Sequence, residues 1–278
     1  MLVNGNQGNL ISIRDRGLLY GDGVFRTLRA LHGKAQHWPL HYQKLQHDCS
    51  ALDIACPDIA LLSAELEGLL MQHPDGVVKL IVTRGQATHR QKARGYAPPE
   101  QVMATHIWDI SPWTDYPADR ATLGIKARMC QLRMSQQPRL AGIKHLNRLE
   151  NVLAAAEWSS TESHDADVAE GLLMDAEGNV IEGTRSNLFL ASRGKLITPD
   201  LSRCGVAGVQ RDLIMAWAHH HMPLQVRDVT LDEVLHADEI FVVNSIIGLW
   251  PIRELEQRYW SDFPIAAKIR YDLKGQDA

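Results

Sequence analysis

The sequence predicts a mixed α/β chain of two domains, and three observations carry that prediction. Segments with apolar residues at helical spacing alternate with short β-branched runs through the first hundred residues. An irregular stretch with two prolines and three acids, Asp109-Ile-Ser-Pro-Trp-Thr-Asp-Tyr-Pro-Ala-Asp119, then interrupts that pattern. After it comes a series of short apolar runs separated by turn signals, the pattern of an antiparallel meander. The expected division is a smaller N-terminal α+β domain over 1–107, a linker over 108–119 and a larger domain over 120–278. With 278 residues, 45% of them hydrophobic and 22% charged, the chain has material for one large core or two modest ones.

In the first domain, strands are expected at Leu2–Val3, Val24–Leu31, Val77–Thr83 and Val102–Ile107. Helices are expected from Pro39 to Leu52 and from Ile59 to Met71, where apolar side chains fall three and four residues apart. In the second, Ala121–Ala127 reads as a strand. The meander follows as Gly171–Asp175, Val180–Glu182, Leu188–Ala191 and Leu196–Thr198, with turns at Glu177-Gly-Asn and Ser192-Arg-Gly-Lys. A helix over Val209–His219 and a strand over Glu239–Asn244 complete the reading.

A net charge of −4 with 13 histidines argues against nucleic acid as a partner and gives no hint of a membrane surface. Cys49, Cys56, Cys130 and Cys204 are scattered, as expected of reduced thiols in a cytoplasmic protein rather than a disulfide framework. The first residues lack the basic start and apolar core of a signal peptide, and no run of about 18 apolar residues is present to span a bilayer. His219, His220 and His221 are adjacent on a helix and point about 100° apart, so they cannot share a metal ion; in a last turn they complement the helix dipole. Gly21-Asp-Gly23 is not a dinucleotide loop, because Arg26 stands where the third glycine belongs.

The run Ile143-Lys-His-Leu-Asn-Arg148 precedes Leu149, Val152, Leu153 and Ala156, which with Leu146 recur at helical spacing. This predicts a helix headed by Lys144 with a buried face behind it. A lysine there would lose hydration, favouring the nucleophilic amine that adds to carbonyls as a Schiff base. The commoner arrangement is a lysine whose stem covers apolar surface while its head reaches water. Further on, Gly205-Val-Ala-Gly-Val-Gln-Arg-Asp212 leads into a helix, and free amides at a helix N-terminus can hold a phosphate. A well-capped glycine turn fits the same residues.

Taken with Glu182-Gly-Thr-Arg-Ser-Asn-Leu-Phe189 and Asp15-Arg-Gly-Leu-Leu-Tyr-Gly-Asp-Gly-Val-Phe25, the Lys144 run resembles the class-IV (fold-type IV) pyridoxal-phosphate enzymes over nearly the whole chain. That group includes branched-chain and D-amino-acid aminotransferases and 4-amino-4-deoxychorismate lyase, and the Lys-His-Leu-Asn-Arg form is most similar to the lyase. The resemblance implies the two-domain fold-type IV architecture, like that of D-amino-acid aminotransferase, with pyridoxal 5'-phosphate in the interdomain cleft. It implies that Lys144 is the catalytic, cofactor-holding lysine and that Glu182 bonds the ring nitrogen. It places the phosphate among Lys44, the amides of Val209 and Gln210, Asn244 and Ser245. Lys44 stands where the group usually has arginine, which keeps the charge but loses the bidentate fork. Arg26 stands where many relatives carry glutamate. A homodimer is also implied.

The activity expected from the resemblance is conversion of 4-amino-4-deoxychorismate to 4-aminobenzoate and pyruvate in folate synthesis. Arg94, Arg148 and Arg185 are candidates for binding the substrate's two carboxylates. The alternatives are an aminotransferase on the same scaffold and a non-catalytic relative kept for binding; the joint presence of Lys144 and Glu182 weighs against the latter.

Overall fold

The computed structural model describes residues 1–86, 95–98, 102–158 and 167–274. The chain forms two compact units: Met1–Thr114 with Ile143–Asn147, and Asp115–Gly142 with Arg148–Ala278. The short segment around Lys144 therefore returns to the first unit, which a division by sequence order does not anticipate.

The first unit comprises β1 (Leu2–Val3), β2 (Asn6–Gln7), α1 (Arg16–Tyr20), β3 (Gly23–Leu31), β4 (Lys34–Ala35), α2 (Trp38–Ala51), α3 (Ile59–Gln72), β5 (Gly76–Thr83) and β6 (Thr105–Ser111). Its antiparallel sheet has the order β2-β1-β6-β5-β3-β4. Along β3 the buried positions alternate as Val24, Arg26, Leu28 and Ala30, so a charged residue sits in the period-2 face that the core covers. Val24, Leu28, Val78, Leu80 and Trp108 of the sheet pack with Tyr42 and Leu45 of α2 and Leu62 and Leu66 of α3. Pro39 near the start of α2 and the Asp58 side chain, which accepts the Ala60 amide at 2.8 Å, set where these helices begin.

Strand β6 lies three residues beyond the expected 102–107, so Asp109, Ile110 and Ser111 belong to the sheet and not to a linker. The acid is accommodated because Asp109 pairs across the sheet with Lys79. After it comes a 3₁₀ turn at Ala118–Ala121.

The second unit comprises β7 (Ile125–Met134), α4 (Leu149–Ala156), β8 (Val168–Asp175), β9 (Val180–Gly183), β10 (Asn187–Ser192), β11 (Lys195–Pro199), α5 (Val209–His221), β12 (Leu224–Arg227), α6 (Leu231–His236), β13 (Glu239–Asn244), β14 (Gly248–Leu255), β15 (Arg258–Tyr259) and α7 (Pro264–Lys274). The meander appears as expected in β8 to β11. Strand β7 begins four residues later than anticipated, its pattern hidden by Lys126, Arg128 and Arg133; β14 and α7 were not anticipated. The order β12-β11-β10-β13-β14-β7-β8-β9 closes on itself because β9 also pairs with β10, through Glu182 opposite Asn187. Closure removes the open edges of the ring. Strands β8, β10 and β13 are buried on both faces, as their near-continuous apolar runs require.

The helix expected at Lys144 starts only at Leu149. Its apolar face is not buried within the chain: Leu149, Val152 and Leu153 are 74%, 59% and 59% exposed, and Ala154 is the residue that packs inward.

The turn from β8 to β9 carries the chain to Glu182, and Asp175 organises it. One carboxylate oxygen accepts the amides of Glu177 and Asn179 at 3.1 and 2.8 Å, and the other accepts the side chains of Asn179 and Gln136 at 3.1 and 3.0 Å. Burial alone would raise this carboxyl's pKa, but the hydrogen bonds outweigh it and hold the value below the usual one. Asp175→Ala should therefore cost about 2 kcal/mol in denaturant unfolding at pH 7. The part of that difference due to ionisation should be full above about pH 3.9 and fade as pH falls through the lower native value. A difference that is absent at pH 7, or that grows on acidification, would contradict this role.

Candidate active site

Lys144 lies in an extended segment laid against β3. His145 forms an antiparallel bridge with Val24. The Phe25 amide donates to the Lys144 carbonyl, and the Leu146 amide donates to the Gly23 carbonyl, both at 2.9 Å. Gly23 is required for this approach, since a Cβ there would stand 2.6 Å from the Val82 carbonyl oxygen and 2.8 Å from Leu146 Cδ1. Ile143 anchors the segment in the core of the first unit.

The Lys144 amide donates to Asp48 Oδ2 at 2.9 Å. The same carboxylate oxygen is ion-paired with Arg26, and the two side chains are 1% and 2% exposed. Arg26 Nη2 also donates to the Lys44 carbonyl at 3.1 Å. Arg26 thus neutralises a carboxylate that holds the lysine's backbone. The half-buried Lys144 places its Nζ 4.6 Å from the centre of the Phe25 ring.

His41, one helical turn before Lys44 and Leu45, is 3% exposed, and neither ring nitrogen has a hydrogen-bond partner among the described residues. Burial first, and then the charges of Arg26, His37 and Lys144, push its pKa down to about 3, so it is neutral near pH 7. A buried imidazole with both nitrogens unmatched calls for a polar partner, water or ligand. Lys44 itself is half-buried on the same helix.

In the second unit, Glu182 is 2% exposed at the seam that closes the barrel. Its Oε2 accepts the Val206 amide at 2.8 Å and the Asn187 side-chain amide at 3.4 Å. Asn187 also donates to the Val206 carbonyl at 2.7 Å and accepts the Gly208 amide at 3.1 Å, tying the glutamate's strand to the loop before α5. Buried Glu170 shapes the intervening turn by accepting the Thr184 amide, the Thr184 hydroxyl and the Ser186 hydroxyl at 3.1, 2.6 and 2.6 Å.

Helix α5 starts at Val209 with Gly208 as its N-cap and no side-chain cap. The amides of Val209 and Gln210 thus stand at an N-terminus carrying the positive end of the dipole. Next to them, Arg211 is turned inward and donates to the Pro199 carbonyl at 3.0 Å, a structural contact.

Asn244 ends β13. Its Oδ1 accepts the amides of Ile246 and Ile247 at 2.8 and 2.9 Å, and its Nδ2 donates to the Arg185 carbonyl at 3.0 Å. The side chain expected at a phosphate is thus engaged in shaping the turn that carries half-buried Ser245. Arg185 donates to the Ala169 carbonyl at 2.8 Å, and Arg148 precedes α4. Arg94 lies outside the described residues.

Sequence reading did not single out Asp48, His41 or Asn187. Positions 41, 44 and 48 share a helix face, so the pattern was present, but nothing in it shows that Asp48 is buried. Asn187 lies in the Glu182–Phe189 run, whose pattern assigns it no role of its own.

The first unit thus carries a lysine on an extended, anchored segment, and the second carries a buried glutamate at the barrel seam and a helix N-terminus without a side-chain cap after a glycine loop. The model of the class IV amino-transferases matches residues 23–255, and the chain belongs to that family. It is 33% identical to the aminodeoxychorismate lyase of Vibrio harveyi, over 98% of this chain and 97% of that one. The crystal structure of 4-amino-4-deoxychorismate lyase from Pseudomonas aeruginosa superposes with a TM-score of 0.91 at 42% identity, covering 99% of this chain and 98% of that one. The fold is also that of the Escherichia coli branched-chain amino acid aminotransferase, with a TM-score of 0.85 at 20% identity over 99% of this chain and 93% of that one. Pyridoxal 5'-phosphate is the cofactor of the family, and the N-terminus of α5, without a side-chain cap, fits its phosphate.

The loop before α5 offers a direct test of this geometry. Gly205 has φ +87°, and a Cβ there would stand 2.7 Å from Leu201 Cδ2 and 3.0 Å from Ile181 Cγ2. Gly205→Ala should destabilise the protein by about 1–3 kcal/mol and weaken retention of pyridoxal 5'-phosphate on dialysis. Unchanged melting temperature and retention would show that the loop does not need this conformation.

Proposed function

We propose that the protein is a pyridoxal-phosphate-dependent lyase that converts 4-amino-4-deoxychorismate to 4-aminobenzoate and pyruvate. The observation that carries this reading is the Lys144 segment, with its Lys-His-Leu-Asn-Arg form, in a chain 42% identical to a lyase of that name over nearly its full length. Lys144 would hold the cofactor's aldehyde carbon, and Glu182 would keep the ring nitrogen protonated. The Val209 and Gln210 amides would bind the phosphate, with Lys44 and Ser245 contributing and Asn244 shaping the turn that carries Ser245. When bound, the cofactor withdraws electrons from the carbon bearing the substrate amine.

As a free amine, Lys144 would take the proton from that carbon. The ring–oxygen bond to the enolpyruvyl group then breaks, the ring becomes aromatic, and Lys144 returns a proton to the departing three-carbon unit, which leaves as pyruvate. Arg148, Arg185 and Arg94 are the cations proposed for the two carboxylates.

The exposed Leu149, Val152 and Leu153 face of α4 supports a homodimer, since such a contiguous apolar face calls for a cover. The free thiols fit a cytoplasmic location.

The holoenzyme given chorismate, ammonia and an aminodeoxychorismate synthase should form 4-aminobenzoate rapidly, and borohydride should fix the pyridoxyl group on Lys144. Rapid conversion of the bound cofactor to its pyridoxamine form by D-alanine or L-leucine, with no 4-aminobenzoate, would identify an aminotransferase instead. A pyridoxyl group on another lysine would remove Lys144 from its role.

Glu182→Gln keeps the shape and removes the charge, so the ring should lose much of its electron-withdrawing character. The barrier should rise by at least ~3 kcal/mol, more than a hundredfold in kcat. Near-normal turnover with cofactor bound would refute the assignment.

A further inference from the structure

Arg26 and Asp48 take no part in the mechanism above, yet they form a nearly water-free ion pair in the first unit. Withdrawing two charges from water is costly, and such a pair seldom repays that cost in stability alone. Its other bonds indicate a use: Asp48 accepts the Lys144 amide at 2.9 Å, and Arg26 donates to the Lys44 carbonyl at 3.1 Å. One side of the pair thus grips the backbone of the proposed cofactor lysine. The other grips the backbone of the proposed phosphate lysine.

We propose that the Arg26–Asp48 pair is a positioning device for Lys144, fixing its backbone to α2 and, by remaining charge-neutral, setting the field in which its amine loses its proton. The proposal rests on the reading that Lys144 holds the cofactor.

Charged and titratable groups of the first unit gather around the ion pair and the lysine's backbone. Arg26 comes from β3, and His41, Lys44, His47 and Asp48 come from α2, with His37 preceding that helix; the exposed His47 places Nδ1 3.2 Å from Asp48 Oδ1. His41 remains neutral throughout the useful pH range, its pKa having been pushed down to about 3 by burial and its cationic neighbours. Arg26 and Asp48 are opposed charges beside the lysine's backbone, so removing either one changes the field there in opposite directions.

The consequence is a pair of shifts of opposite sign. Asp48→Asn can still accept the Lys144 amide but takes the carboxylate's negative charge away from the guanidinium, which disfavours the ammonium. Arg26→Gln takes the guanidinium's positive charge away from the carboxylate, which favours it. Asp48→Asn combined with Arg26→Gln removes both charges and should restore the balance. A contact that merely supported the fold would give no such reversal.

The test uses the full-length apoprotein and pyridoxal 5'-phosphate as the probe. Only the neutral amine adds to the aldehyde, so the rate of cofactor uptake followed against pH reports the midpoint for proton loss. The midpoint should fall by about one pH unit in Asp48→Asn and rise by about one in Arg26→Gln. The double variant, which also serves if unpaired burial prevents a single variant from folding, should return to within about 0.3 unit of the unsubstituted protein. Shifts of the same sign, no shift in the single variants, or a displaced midpoint in the double variant would overturn the proposal. Each sample is reduced with borohydride and its modified peptide mapped. A pyridoxyl group away from Lys144 overturns the functional reading and this proposal together. Modification at Lys144 without the opposed shifts overturns this proposal alone.

Discussion

One buried carboxylate organises the first unit's contribution to the chemistry. Asp48 is on a helix, Lys144 is on an extended segment nearly a hundred residues later in the chain, and Arg26 is on a strand. The carboxylate joins all three. Without it the partly buried Lys144 amide would lose this acceptor, an omission worth about 1–3 kcal/mol. The Lys144 carbonyl is satisfied separately by Phe25, so both sides of the lysine's backbone are fixed while its side chain extends along the Phe25 ring. A reactive amine benefits from this arrangement, because the entropy of positioning is lost on folding and not again in each turnover.

The second unit solves a related problem with a closed sheet. Glu182 is half of the residue pair that closes the barrel, and its partner Asn187 bonds the glutamate, the Val206 carbonyl and the Gly208 amide. The carboxylate and the start of α5 are thereby held in register by a single amide side chain. Glu170 supports the turn between the two strands with hydrogen bonds of its own. The apolar strands around them provide the rigid frame on which such polar groups can be placed accurately.

The sequence revealed the parts of this arrangement that depend on local pattern. Strand β3, helices α2 and α3, the meander and α5 follow from periodicity and turn residues, and their observed limits differ by a few residues. Lys144 and Glu182 stood out because they lie in distinctive strings. What escaped was non-local. The apolar series after Lys144 is a good helix pattern, but its first turn begins at Leu149 because His145 pairs with Val24 instead. No property of the segment itself encodes that choice. Arg26 and Asp48 look like unrelated charges in sequence and acquire meaning only when β3 and α2 pack. The strand β6 was misplaced because prolines and acids around 109–119 resemble a linker, whereas Asp109 is matched by Lys79 on the neighbouring strand.

The central physical claim is that the backbone of Lys144 is held by a carboxylate inside the protein. Residue-resolved amide hydrogen exchange measures that bond directly. The Lys144 amide should exchange as slowly as core amides of β3 such as Leu28, through openings that approach global unfolding. Exchange at the rate of a solvent-exposed loop would show that Asp48 does not hold the lysine, and the account of how the amine is positioned would fail with it.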